Sequence, residues 1–543
     1  MLALAIAMRY FFLLGLCRSC GMFSVFFGLQ LIMVAKERFM LCIFSYSYRM
    51  TLIFSGLAMI VGNIANAENG TPLLTPAPCE IAWTEDRLPL ESQCVIAAGS
   101  EEQPMARFLV DALSRLHGVT PTVAVQTASP CSIVLALDHT DTGKALLEKM
   151  PAELKTKWPP ERNASEGYLL NVNGQQAVVI AQSTRGLLYG CQTLLQLVEP
   201  NASHTGKQVH GVRIVDYPQL PFRGVHICIF PNTELASIQQ AIWVAARYKY
   251  NAVVLEPWAS LQSQSHPETA YEHAFTPEQL RPVIELGRRL QMDVIPMLNS
   301  WGHASGMRRR SGEHVVLDRF PEFKSLYEPD GWAFTLSNPA VRQHLSDRYG
   351  ELLELFGPTH YFHVGMDEAW GELPNTSIDS LRGHLQFMHQ YFADRKIQII
   401  MWHDMFLQRN HPELGKVSPA NSRPPLNSHL TLPDLPKDVI IAAWEYDYTD
   451  EWPVPKYFHD KGYPVVVCPW KSRRNTEMLL NTAKKLDLLG VLETTWDSLD
   501  VSLPSVGEAG VLAWTKPGFD LRSIPFDHWL SEIRKFPICD LPK

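Results

Sequence analysis

Two carboxylic acids stand side by side in the segment His363-Val364-Gly365-Met366-Asp367-Glu368-Ala369-Trp370. Adjacent carboxyls just beyond a strand can aim at different parts of one ligand. One can give and take a proton at a bond under attack, while the other holds a neighbouring substituent and offsets positive charge developing there. The Asp367 charge would also push the Glu368 pKa up, which suits a group that must begin as an acid. Polar and aromatic residues recur in comparable settings: Glu256-Pro257-Trp258, then Asn299, Trp301 and His303, then Trp402-His403-Asp404, Trp444-Glu445-Tyr446, Trp470-Lys471 and Trp496-Asp497. An indole covers the C–H face of a sugar ring while charged groups hold its hydroxyls, so the set reads as a carbohydrate site. Core packing is the plain alternative for any single Trp, and a helix N-terminal acidic pair for an isolated Asp-Glu. Their joint occurrence favours a site.

Each of these groups follows a short apolar run. The runs are Gly224 to Ile229, Ala252 to Leu255, Asp293 to Leu298, Tyr361 to Gly365, Ile397 to Met401, Val439 to Ala443, Pro464 to Val467 and Gly490 to Thr494. Helical patterns lie in most of the gaps: Leu235 to Tyr248, Pro277 to Leu290, Ala340 to Phe356, Leu381 to Phe392 and Thr476 to Leu488. Eight short strands alternating with helices predict an α/β fold, a (β/α)8 TIM barrel over residues 215–543, with chemistry at the C-terminal ends of its strands. Ahead of it, residues 79–208 mix short strands (Ser132 to Leu137, Ala177 to Ala181) with helices (Ala106 to Leu116, Gly186 to Leu197) and predict a small α+β domain. The polar stretch Asn201 to Gln208 reads as the loop between the two.

The composition is that of a globular chain, with 46% hydrophobic and 19% charged residues, 14 Trp and a formal net charge of −8. No basic run exceeds Arg308-Arg309-Arg310, so no nucleic-acid partner is expected. Residues 1–67 read as a signal peptide with an over-long start. Arg49 supplies the positive region, Thr51 to Val61 the apolar region and Ala65-Asn66-Ala67 the cleavage site, and Met50 is the expected true start. Export, secreted or periplasmic, is therefore expected, with no stable membrane span in the mature chain; an N-terminal anchor is the rival reading. Of the ten cysteines seven follow that segment, and they form no CxxC pair with distant ligands, so no metal or other cofactor is expected. Cys79 and Cys94 are close enough in sequence to bridge. Asn69, Asn163, Asn201 and Asn375 lie in Asn-x-Ser/Thr sequons, of consequence only in a eukaryotic host.

The motif His363 to Trp370 resembles the His-x-Gly-x-Asp-Glu signature of glycoside hydrolase family 20, the β-N-acetylhexosaminidases. Glu166-Gly167-Tyr168 and Arg185 to Gln196 resemble that family's small non-catalytic domain, and Asp216-Tyr217-Pro218 with Phe222-Arg223-Gly224 its passage into the barrel. Val253 to Glu256 and Val294 to His303 are similar to the hexosaminidase D-like branch. The resemblance implies exo-acting removal of terminal GlcNAc or GalNAc from a glycan by a retaining, substrate-assisted route. Glu368 would be the acid and base, and Asp367 would hold the 2-acetamido group as its carbonyl oxygen closes an oxazolinium ring. It further implies that Arg223 contacts sugar hydroxyls, that His303 supports the acid pair, and that Trp402, Trp444 and Trp496 wall the acetamido pocket, beside Trp470. Four positions depart from the lysosomal-type pattern: Asn299 replaces an Asp, Trp301 replaces a Pro, Lys471 stands where a ring-stabilising Tyr follows Pro-Trp, and Ser498 replaces a Glu. Tyr446 is expected to supply the missing phenol, with Lys471 as the alternative, and Asp404 or Asp497 to contact distal hydroxyls. A catalytically silent amino-sugar-binding barrel and another amino-sugar glycosidase or transglycosylase remain as alternatives.

Overall fold

The computed structural model describes residues 71–90, 94–125, 132–158, 161–305 and 315–536. The expected signal peptide, the sequon at Asn69 and the cysteines at 17, 20, 42, 131 and 539 lie outside the described residues. From Pro72 onward the chain forms one compact unit.

The N-terminal part is built on one mixed sheet: β1 (Glu80–Leu90), β2 (Val95–Ala98), β3 (Thr122–Ala124), β4 (Ile133–Leu137), β5 (Tyr168–Val172), β6 (Ala177–Ala181), β7 (Val198–Pro200) and β8 (Lys207–Asp216). Its strand order is β1-β8-β5-β6-β4-β2-β3, with β7 alongside β8. The helices Gln103–His117 and Thr184–Gln196 cover one face through Met105, Leu109, Leu113, Leu187, Leu188 and Leu194. Ala97, Val134, Leu169, Val178, Ile180 and Val215 alternate onto the opposite face, as a pleated strand requires.

Two differences from the sequence reading follow. The small domain runs past residue 208 to Asp216, because β8 pairs antiparallel with both β1 and β5; its length was masked by polar residues at its start. Cys79 and Cys94 are both free thiols. Cys79 precedes β1 and Cys94 precedes β2, and β8, β5, β6 and β4 lie between those strands. At about 4.8 Å per strand they stand well beyond the roughly 7 Å that a disulfide can span.

The barrel strands are β9 (Phe222–Cys228), β10 (Ala252–Glu256), β11 (Asp293–Pro296), β12 (Tyr361–His363), β13 (Gln398–Trp402), β16 (Ile440–Trp444), β17 (Val465–Cys468) and β18 (Gly490–Glu493). A two-stranded hairpin, β14 (Asn410–His411) and β15 (Gly415–Lys416), projects from the loop after β13. All neighbouring barrel strands are parallel in the order β11-β10-β9-β18-β17-β16-β13-β12. The ring closes at a bridge between Met297 and His363, where the Leu298 N–H donates to the His363 carbonyl at 3.0 Å. Side chains alternate as in a filled barrel: Ala252, Val254, Ile295, Ile400, Ile440 and Val466 point inward, whereas Val253, Leu255, Ile399 and Ile441 pack against the helices. Trp402 and Cys468, the last residues of their strands, cap this interior stack. Everything beyond them belongs to the mouth.

Candidate active site

The turn after β12 bears the acid pair. Gly365, Met366 and Glu368 all have left-handed backbone, with φ of +67°, +79° and +48°. Such geometry in two non-glycine residues is costly and is held by its surroundings. His303, itself at φ +56°, approaches from the loop after β11. That loop can come close only because Gly302 has no side chain: a Cβ there would lie 2.0 Å from the Asp367 carbonyl oxygen. The His303 Nε2 stands 3.4 Å from Asp367 Oδ2 and 3.3 Å from Glu368 Oε2. Burial opposes charge on this ring, but the two carboxylates overcome it and push its pKa up to about 10, so His303 is a cation at neutral pH. Trp258 and Trp332 enclose it at ring separations of 5.4 and 4.4 Å.

Glu368 and Asp367 are unlike in setting. Burial raises the Glu368 pKa and the Asp367 charge raises it further, against the lowering effect of His303. Asp367 is buried, and its Oδ1 has no hydrogen-bond partner among the described residues. A buried carboxylate oxygen without a donor is unusual in a protein interior and is what a ligand N–H would satisfy.

A second layer fixes the turn. Asp404 accepts from the Glu368 backbone N–H at 3.0 Å, from Asn421 Nδ2 at 2.8 Å and from Trp444 Nε1 at 3.2 Å. It is fully buried, and burial together with Asp367 pushes its pKa up to about 7. The expectation that Asp404 contacts sugar hydroxyls is thereby corrected. The chain folds back after Trp402 into a short 3-10 turn, Asp404–Phe406, so this carboxyl lies behind the acid pair and props it.

The aromatic wall joins the acid pair from strands β13 to β18. Trp402 lies 6.2 Å from Trp496, and Trp496 Nε1 donates to the Tyr446 hydroxyl at 2.6 Å. Tyr446 stacks on Trp444 at 5.0 Å and meets Trp470 edge-on at 5.3 Å. Burial, with Asp367 among the nearby charges, drives the Tyr446 pKa well above its ordinary value. Its oxygen already accepts from Trp496, so its proton is kept and can be donated. Lys471 turns outward, 2.8 Å from Asp497 at the exposed rim and 3.8 Å from the centre of the Trp470 ring.

Arg223 is not part of this mouth, which corrects its assignment to sugar hydroxyls. It is the second residue of β9, so it lies at the N-terminal end of the barrel, opposite the chemistry. Fully buried, it donates to the carbonyls of Lys249 (2.8 Å), Leu220 (2.9 Å) and Pro221 (3.2 Å), to Glu166 Oε2 (2.5 Å) and to the Tyr189 hydroxyl (3.1 Å). These contacts engage Nε, Nη1 and Nη2 alike, and Glu166 and Tyr189 belong to the small domain. Arg185, Asn251, Lys249, Asp216 and Tyr168 extend the same seam.

His226, Trp332 and Asn421 also stand at the mouth, beyond the residues that the sequence marks. His226, in β9, holds Glu256 at 2.7 Å, and Glu256 also accepts from Asn299 Nδ2 at 2.7 Å and from the indole of Trp258. A histidine inside an apolar strand was a readable signal. Trp332, which donates to the Glu368 carbonyl at 2.7 Å and stacks on the half-exposed Trp370 at 5.7 Å, and Asn421 come from long irregular loops with no pattern to mark them.

Comparison with known proteins agrees with this architecture. Residues 71–217 match the family model for glycosyl hydrolase family 20, domain 2, and residues 244–473 match that for the glycosyl hydrolase family 20 catalytic domain. Among curated relatives, a beta-hexosaminidase of Porphyromonas gingivalis is 23% identical over 54% of this chain and 39% of the relative. The beta-hexosaminidase subunit beta of Sus scrofa is 25% identical over 39% of this chain and 41% of the relative. The chain thus spans about two-fifths of the length of these relatives. Among solved structures, a Flavobacterium johnsoniae chitobiase superposes with a TM-score of 0.62 at 16% identity, over 85% of this chain and 72% of that one. A mutant Streptomyces plicatus beta-hexosaminidase in complex with its product GlcNAc also gives 0.62 at 16% identity, over 86% and 95%. With both of its domains matched in order, across more than half of its length, this chain belongs to glycosyl hydrolase family 20.

Proposed function

We propose that the protein is an exo-acting β-N-acetylhexosaminidase that releases terminal GlcNAc or GalNAc from glycans by a retaining, substrate-assisted mechanism. The observation that carries this reading is the pairing of a buried Asp367 oxygen, without a donor among the described residues, with a Glu368 whose pKa is raised by burial and by Asp367 on the same turn, beside the Trp402, Trp444, Trp496 and Tyr446 wall. Two carboxyls on one turn do not straddle a sugar ring, so this pair does not by itself supply the ordinary plan with a protein carboxylate as nucleophile. In the proposed cycle Glu368 gives its proton to the glycosidic oxygen. The substrate's acetamide oxygen forms a bond to C1 as the C1–O bond breaks, and the leaving alcohol departs neutral. Asp367 accepts the acetamide N–H and offsets the oxazolinium charge, and Tyr446 donates to the oxygen of the closing ring. Water then gives a proton to Glu368 and attacks C1, which reopens the ring with the original anomeric configuration and regenerates the acid.

Release of p-nitrophenol from p-nitrophenyl N-acetylglucosaminide and N-acetylgalactosaminide, with no comparable rate on the glucoside, is the expected result. Equal rates on glucosides, or a covalent sugar trapped on a protein carboxylate, would overturn the mechanism. A binding-only barrel is favoured by one observation: with Arg223 at the far end, no guanidinium assigned from the sequence reaches the mouth. Sugar binding without turnover on both chromogenic substrates would establish that reading. Export belongs to the same proposal and rests on Arg49, Thr51 to Val61 and Ala65-Asn66-Ala67. Among the described residues no helix is long and apolar enough to cross a membrane. A mature N-terminus near Glu68 in secreted or periplasmic material is the expected finding.

A further inference from the structure

Outside the mouth, the loop after β10 and the helix Pro339–Phe356 bring together His266, Glu268 and His344. One potential ligand atom from each lies within 4.8 Å of the others. The two imidazole rings are 4.0 Å apart at an interplanar angle of 50°, close for rings that share no hydrogen bond. His266 Nδ1 is 3.0 Å from Glu268 Oε1, and its Nε2 is 3.4 Å from Asp347 Oδ2. His344 and Glu268 are both more than nine-tenths buried, and His344 Nδ1 has no hydrogen-bond partner among the described residues. A buried imidazole nitrogen without a partner among the described residues, beside a second imidazole and a carboxylate, is placed to take a ligand.

We propose that His266, Glu268 and His344 form a binding site for a zinc-like first-row divalent cation that pins the loop after β10 to the helix preceding β12. The donor set, two imidazoles and one carboxylate, is one that zinc takes and that magnesium and calcium avoid. If His266 ligates through Nδ1, beside Glu268, its Nε2–H points to Asp347. A carboxylate that orients the far nitrogen of a metal-binding histidine is a recurrent second-layer arrangement. Arg348, which reaches back to Thr269 Oγ1 at 2.5 Å, adds one positive charge. Glu268, Asp347 and Glu351 add three negative ones, and a divalent ion would balance the group. His266 is 18% exposed in its side chain, which leaves a path from solvent. No spacing motif announces the site, because the two histidines are far apart in sequence and on separate elements. The ion's role here is structural, since the acid pair uses none of these residues.

The test uses the full chain, stripped with EDTA and titrated with zinc against a chromophoric chelator, with Tm and Co2+ d–d absorption recorded in parallel. One equivalent should bind, Tm should rise by at least about 2 °C at saturating zinc, and magnesium or calcium should do neither. His344→Gln and His266→Gln should each weaken binding at least about 100-fold, and Asp347→Asn roughly 10-fold or more. Glu368→Gln should bind as the unaltered protein does, which separates this site from the other histidine–carboxylate cluster, His303 with Asp367 and Glu368. If His344→Gln does not fold, the half-buried His266 and Asp347 variants decide. Failure to bind zinc, binding unchanged in the His266 variant, loss in Glu368→Gln, or a preference for calcium would each overturn the proposal.

Discussion

The two ends of the barrel each bury a cluster of charges, and they treat glutamate in opposite ways. At the N-terminal seam Glu166 lies between Arg223 and Arg185. Burial alone would raise its pKa, yet the two guanidiniums hold it below the usual carboxylate range. At the mouth Glu368 has Asp367 for a neighbour, and burial and that charge hold it above the usual range despite His303. The seam matches opposite charges and fills the hydrogen-bonding positions of Arg223. The mouth sets like charges together, leaves Asp367 Oδ1 without a donor among the described residues and keeps left-handed backbone at Met366 and Glu368. The first pattern stabilises a junction; the second is favourable only when a ligand completes it.

The largest expected effect breaks the mouth and spares the seam. Glu368→Gln should lower kcat on a natural disaccharide by about 10²–10⁴-fold, with KM and Tm little changed, because a proton donor is lost and not a contact. Steady-state kinetics with a thermal melt of the same sample checks both halves, and wild-type turnover would remove Glu368 from its role. The converse change, Arg223→Met, should do the opposite. Leaving Glu166 buried with one partner fewer should cost on the order of 3–5 kcal/mol of stability. The remaining folded protein at low temperature should keep its KM, since Arg223 is buried at the end of the barrel opposite the acid pair. A KM rise at unchanged stability would return Arg223 to the sugar.

That second experiment bears on what a sequence can reveal. The eight barrel strands were readable because each is a short apolar run bounded by turns, and their polar successors marked the mouth by topology alone. Arg223 was misplaced because a motif records order, whereas function depends on which end of a strand a residue occupies: Arg223 opens β9 and Glu256 ends β10. Asp404 sits at the correct end, but the 3-10 turn that follows swings it behind the acid pair, and no local pattern foretells such a reversal. The His266–Glu268–His344 group was invisible for a third reason. It is assembled by packing a loop on a helix, and neither segment carries a spacing signal by itself.

A subtler change at the mouth separates the two acids. Asp367→Asn should reduce kcat by about 10²–10³-fold, since the proposed cycle uses that charge to offset the oxazolinium. It should also displace the pH profile in a defined direction. Asp367 raises the Glu368 pKa, so its neutralisation stabilises ionised Glu368 and lowers that pKa. The alkaline limb, where Glu368 loses the proton it must donate, should therefore move to lower pH in the variant. A limb that stays in place, or moves up, would mean that another group governs it.

The smallest expected effect decides between the two candidates for the closing ring. Tyr446 is walled by Trp444, Trp470 and Trp496, and its hydroxyl accepts from Trp496, which leaves its proton to donate. Lys471 is half-exposed and already engaged by Asp497. Tyr446→Phe keeps the ring packing and removes only the donor, so kcat should fall by roughly 10-fold, less than for Asp367→Asn, with stability close to unchanged. Lys471→Ala breaks a rim ion pair that solvent screens, and both activity and Tm should stay near their starting values. The reversed result, a silent Tyr446→Phe with a severe Lys471→Ala, would place the ring-stabilising donor in the loop after β17. It would also mean that Lys471 leaves Asp497 when substrate binds, which a change in the salt dependence of KM on Asp497→Asn would expose. Under the present geometry that salt dependence should not change, because the pair lies at the exposed rim, outside the aromatic wall.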